Sequence, residues 1–227
     1  MTRRPRAACL RAGIAAAAAA AALAGCTTIS TTPMSDALAT QLRGQDVAIV
    51  TLPPSTFSVV LTHAVALGPL GIPEMVAEGR RVLADDHIVD PADTIATVLG
   101  DAMAGQHGAV VLAPHATSPR DEPAAIVAAA ARGARYVLAV GTVSWGVGNL
   151  PMPRSNYFVS YVARARLIDA RTHTVVAEAG CMQPQDGSEF NGAYADLSAD
   201  NGRLIKTELA ARADRCIHFL QRDLLAI

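Results

Sequence analysis

Lysine is almost missing from this chain of 227 residues: Lys206 stands alone, and every other basic residue is arginine. Aromatic residues make up only 4%, with a single Trp, a bias that reads as coding composition before function. The chain also lacks an excess of positive charge. The formal net charge is −1, and four of the 19 basic residues, Arg3, Arg4, Arg6 and Arg11, fall within the first 25 positions, which hold no acid. Residues 26–227 therefore carry 15 basic against 20 acidic side chains, a formal charge of −5. That balance argues against a nucleic-acid partner, which is held by phosphate neutralisation along a basic stripe. Runs of the roughly 20 apolar residues needed to cross a bilayer are missing as well. The best after residue 25 is "FSVVLTHAVALGPLGI" at 57–72, which contains Thr62 and His63 and is broken by Gly68, Pro69 and Gly71. It reads as a buried helix, the alternative being an interfacial helix near a lipid anchor.

Signatures of catalysis are equally sparse. The histidines at 63, 87, 107, 115, 173 and 218 form no pair with metal-binding spacing such as H-E-x-x-H, so neither a metal nor a cofactor is expected. Neither G-x-S-x-G nor S-x-x-K occurs, and "GTVSWGVG" at 141–148 is not the G-x-G-x-x-G of a dinucleotide site. The nearest thing to a site is "PHATSPRDE" at 114–122, since loops at the carboxyl ends of parallel strands are where α/β folds place ligands. There His115, Ser118, Arg120, Asp121 and Glu122 could hold an anion or do acid and base work. The plainer reading is turn chemistry leading into a helix. An enzyme is not expected.

What is present begins at the amino end. "MTRRPRAACLR" is basic, and the apolar run Ala12 to Gly25 is 14 residues long, the size of a signal h-region rather than a span. It ends in Leu23-Ala24-Gly25-Cys26, which resembles the lipobox of bacterial lipoproteins. The resemblance implies that residues 1–25 are a signal peptide cut before Cys26, whose sulfur receives diacylglycerol. Several acyl chains, palmitate among them, anchor stably where one would not. Thr27 stands where an Asp would signal inner-membrane retention, so the resemblance implies an outer-membrane protein facing the periplasm.

After such processing Cys9 is gone and Cys26 is acylated, which leaves Cys181 and Cys216. In an oxidising compartment two remaining cysteines suggest a disulfide, stapling the last strand to the final helix. Two buried free thiols are the other reading.

The rest reads as one α/β domain, a mixed sheet of about five strands with flanking helices. Residues 26–45 form a tether and the start of the domain, with a short helix around Asp36 to Leu42, and 46–227 form the domain itself. "DVAIVTLPP" at 46–54 reads as a central strand and "GAVVLAP" at 108–114 as another. Helices are expected from Pro73 to Asp86, from Asp90 as N-cap to Gly105 or Gly108, and over 122–133. In "NYFVSYVARARLIDA" alternation puts Tyr157, Val159, Tyr161, Ala163, Ala165 and Leu167 on one face and Ser160, Arg164 and Arg166 on the other. "DARTHT" turns it into the antiparallel strand "VVAEAGC". A helix near 201–225 carries the stripe Ile205, Leu209, Cys216, Leu220 and Leu224.

"RLIDARTHTVVAE", following "ARYVLAVGTV" and preceding the final helix, resembles the "lvDarTgevv" hairpin of envelope α/β modules related to the TolB amino-terminal domain and the curli-secretion lipoproteins. Thr172-His173-Thr174 departs from the usual Thr-Gly at the turn. The resemblance covers about residues 130–225 and implies a fold, not a function.

Between two strands expected to be neighbours lies "SWGVGNLPMPRSNY", 144–157, longer than the 2 to 5 residues of most hairpin loops. Trp145, Val147, Leu150 and Met152 give it apolar surface, and Trp and Met are enriched at interfaces. The expectation is a partner-contact loop, with Trp145 as core cover the alternative. The functional expectation is a lipid-anchored envelope protein that binds an envelope protein in assembly or secretion, without catalysis, an oligomeric secretion component being a further reading. A wall hydrolase or carbohydrate-binding protein using the 114–122 loop is the alternative.

Overall fold

The computed structural model of the chain describes residues 29–130, 133–149, 157–182 and 193–227. The expected signal peptide, Cys26, Leu150 and Met152 lie outside the described residues. Chain order is α1 (Asp36–Leu42), β1 (Asp46–Thr51), β2 (Ser58–Val59), α2 (Thr62–Ala66), a 3₁₀ turn (Gly68–Gly71), α3 (Ile72–Asp85), α4 (Ala92–His107), β3 (Val110–Thr117), α5 (Pro123–Ala129), β4 (Tyr136–Asn149), β5 (Tyr157–Asp169), β6 (Thr174–Met182) and α6 (Tyr194–Asp223). The expected mixed α/β domain is what the chain forms. Its sheet runs β3-β1-β4-β5-β6, with β2 added beside the far end of β4. β1 lies parallel to both β3 and β4, while β4, β5 and β6 form an antiparallel meander.

β1 is central because Val47, Ala48, Ile49 and Val50 are apolar on both faces, and all four are buried. β3 is an edge strand, blunted by Pro114 and by a register shift that sets Ala48–Val50 against Leu112–Ala116. Alternation in β5 works as read: Tyr157, Val159, Tyr161, Ala163, Ala165 and Leu167 face the main core with α4 and α6. On the opposite face α5 covers only a small cluster, Ile126 over Ala48, Val50, Val137, Ala139 and Ile168.

Helix ends follow local chemistry. Ser35 caps α1 by accepting from Leu38 N at 3.2 Å. Asp90 accepts from Ala92 N at 3.1 Å, and Gly108 at φ 66° closes α4. α6 breaks at Ala199–Gly202, where Asp200, Asn201 and Gly202 have left-handed φ, so its long apolar stripe starts afterwards, at Ile205.

One expectation is corrected. Residues 57–72 are not a buried helix: Gly68 and Pro69 split the run into β2, α2 and the 3₁₀ turn, and Val65, Leu67, Leu70 and Ile72 are left exposed. Within 26–45 the start of the domain is in place by residue 32, where Thr32 bridges to Glu178 on β6, and Met34 N donates to Leu224 O at 3.0 Å.

Candidate functional site

β1 and β3 end side by side, and Ser118 N donates to Thr51 O at 3.0 Å. Where these strands stop beside β4, a cleft of about 340 Å³ opens, lined among others by Leu52, Ser55, Arg120, Asp121, Thr142 and Arg164. It sits at the carboxyl ends of parallel strands, the position where open α/β sheets leave room for ligands. Gly141 keeps its floor low, since a Cβ there would come within 2.8 Å of Leu52 Cδ1.

The polar wall is an ion-pair cluster. Arg164 and Arg166 project from the face of β5 away from the main core, and both pair with the carboxylate of Asp121 in the loop after β3. Arg166 also donates to the Asp121 carbonyl at 3.0 Å, and Arg164 lies 3.8 Å from the Glu178 carboxylate on β6. Burial, and then the charge of Arg164, lower the Arg166 pKa from its ordinary value. The two arginines repel each other, and the carboxylates of Asp121 and Glu178 balance their charge within the cluster. Arg120 is exposed at the rim, and its guanidinium has no partner among the described residues.

Beneath the floor lies a second polar group. Thr142 Oγ1 donates its only proton to Asp90 Oδ1 and therefore accepts from Tyr161 OH, 2.9 Å away. Burial raises the pKa of both Asp90 and Tyr161.

The 114–122 residues do not converge as a catalytic set. His115 lies within β3 and is exposed, outside the cleft lining. Ser118 is buried, its hydroxyl donating to Arg120 O at 2.8 Å, which is turn chemistry rather than an activated nucleophile. Glu122 is the residue before α5 and bonds its first turn through its carbonyl. Among the described residues no group of three or more His, Cys, Asp or Glu could hold a metal, and no helix is long and apolar enough to cross a membrane.

Cys181 and Cys216 are joined, with Cα atoms 5.3 Å apart, between β6 and α6. The partner-contact expectation is corrected at its two described residues. β4 continues to Asn149 instead of ending near Ser144, so Trp145 and Val147 are core, 3% and 1% exposed. Trp145 stacks edge-on against Phe57, 4.9 Å between centroids, and its Nε1 donates to Ser55 O at 2.7 Å. What pattern reading missed is that the arginines on the polar face of β5 meet Asp121 more than forty residues earlier. Their unusual place in mid-strand was the one available signal.

No family model matches the chain, and no curated protein does. Among solved structures it is similar to PelC L103M from Paraburkholderia phytofirmans, described as a dodecamer, with 16% identity, 87% of this chain and 96% of that one covered, and a TM-score of 0.39. A protein from Xanthomonas campestris of the family DUF330 shows 13% identity over 85% and 90%, with a TM-score of 0.36. The lipoprotein GNA1162 from Neisseria meningitidis shows 14% over 74% and 99%, with a TM-score of 0.23. Values this low fix neither a family nor an activity.

Proposed function

We propose that this chain is an outer-membrane lipoprotein, held by acyl chains on Cys26 and facing the periplasm, that works by binding an envelope protein rather than by catalysis. The observation that supports binding over chemistry is the state of the cleft: Asp121 is paired with Arg164 and Arg166, and Ser118 bonds its own turn. A general base or nucleophile needs a free, positioned partner, which these groups do not supply. The Leu23-Ala24-Gly25-Cys26 sequence supports the anchor.

The cleft itself favours a second reading, an acidic glycan or other anionic wall component held by Arg120 and Arg164. Crosslinking and pull-down from native membranes separates the two. Under the first reading a discrete protein partner is recovered with the wild type and with Arg120→Ala alike. Loss of the cellular phenotype in Arg120→Ala, with no protein partner recovered, would favour the glycan.

A further inference from the structure

Four large apolar side chains stand out of the fold in one short corner: Val65, Leu67 and Ile72 are each more than half exposed, and Leu70 is 82% exposed. The corner is held in shape rather than loosely draped. Gly71 packs so closely on α2 that a Cβ there would meet the Ala64 carbonyl oxygen at 2.0 Å. Clusters of this kind on a folded surface mark a contact.

Topology says which end of the molecule bears it. β2 pairs with Gly146 and Val147, and Thr62 Oγ1 lies 3.2 Å from Tyr157 OH, so the corner sits where β4 ends and β5 begins. The amino-terminal segment leads toward the same end. Thr32 bridges antiparallel to Glu178, and Ile29 lies over Gly180, so the chain read from 32 back to 29 runs along β6 toward Met182, itself 67% exposed. Only Thr27 and Thr28 separate Ile29 from the acylated Cys26, and three residue steps reach about 10 Å at most. An anchor that short presses this end of the domain against the bilayer.

We infer that the corner formed by Val65, Leu67, Leu70 and Ile72 inserts into the lipid surface beside the anchor. The occupant is the bilayer, and the inference rests on the lipoprotein reading above. Burying apolar side chains in the interface adds to the acyl chains and fixes the domain's orientation, the cleft included.

The test uses the full acylated protein in phosphatidylethanolamine–phosphatidylglycerol vesicles, with Leu70→Cys or Thr172→Cys carrying an environment-sensitive fluorophore. Nitroxides on the lipid chains should remove most of the emission at position 70 and leave position 172, in the β5–β6 turn, unchanged. If intact mass shows the acyl chains but position 70 is unquenched, the contact is overturned and the anchor stands. A blue shift at 70 without quenching would assign the corner to protein and also overturn it. Absence of acyl chains would defeat the lipoprotein reading and this inference with it.

Discussion

Trp145 Nε1 donates to the carbonyl of Ser55 at 2.7 Å, tying the only Trp of the chain to the segment that leads into β2. The indole thus serves as an internal strut with its polar tip satisfied, as buried Trp requires. Trp145→Ala should lower stability by about 3–5 kcal/mol, the usual cost of emptying such a site. Chemical denaturation checks it, and a stability within error of wild type would show that the indole is not core.

The Cys181–Cys216 bond closes a separation of 35 residues, for which chain entropy gives about 3–4 kcal/mol. Cys181→Ala with Cys216→Ala should lose that amount, and reductant should lower the melting temperature of the wild type but not of the double variant. Alkylation of two cysteines in the unreduced protein would contradict the bond.

Asp90 supplies a pH dependence. Burial raises its folded pKa above the ordinary 3.8, so its favourable contribution is fully present below that value and is lost as pH rises through the folded pKa. Asp90→Asn keeps the acceptor for Thr142 and Ala92 without the buried charge. The variant should melt higher than wild type at pH 7, with the difference shrinking as pH falls toward 4. A difference that grows on acidification would contradict the sign.

Much of this fold is legible in residue order, and the failures have physical causes. α4 starts at Ala92, one residue beyond the expected Pro91, because Asp90 marks the end by a side-chain bond. Period-2 alternation in β5 is readable because one face is core. β4 misled because Gly146 and Gly148 look like turn residues, whereas Gly146 lets β2 approach: a Cβ there would meet Ser58 O at 2.2 Å. The 57–72 run misled because apolar content alone does not say which side chains stay in water. The Arg164–Asp121–Arg166 cluster was out of reach, since no local pattern encodes a contact between a loop and a strand so distant in sequence.

The β5–β6 turn carries another consequence. His173 adopts φ 56°, the left-handed conformation that favours Gly, and its N–H donates to Asp169 O at 2.8 Å. A left-handed non-Gly residue costs about 1–2 kcal/mol, partly offset by the extra chain entropy of Gly. His173→Gly should therefore raise stability by about 0.5–1 kcal/mol. Destabilisation would show that the imidazole makes a favourable contact in the turn.

The lipoprotein reading hangs on Cys26. The decisive measurement is intact and peptide-level mass spectrometry of the protein extracted from the membranes of its native host, compared with Cys26→Ser. The expected result is a mature chain beginning at Cys26 with a diacylglyceryl group on sulfur, found with the outer membrane. The Cys26→Ser variant should appear only as precursor or soluble protein. An unmodified Cys26, or a variant that stays membrane-bound and acylated, would contradict it.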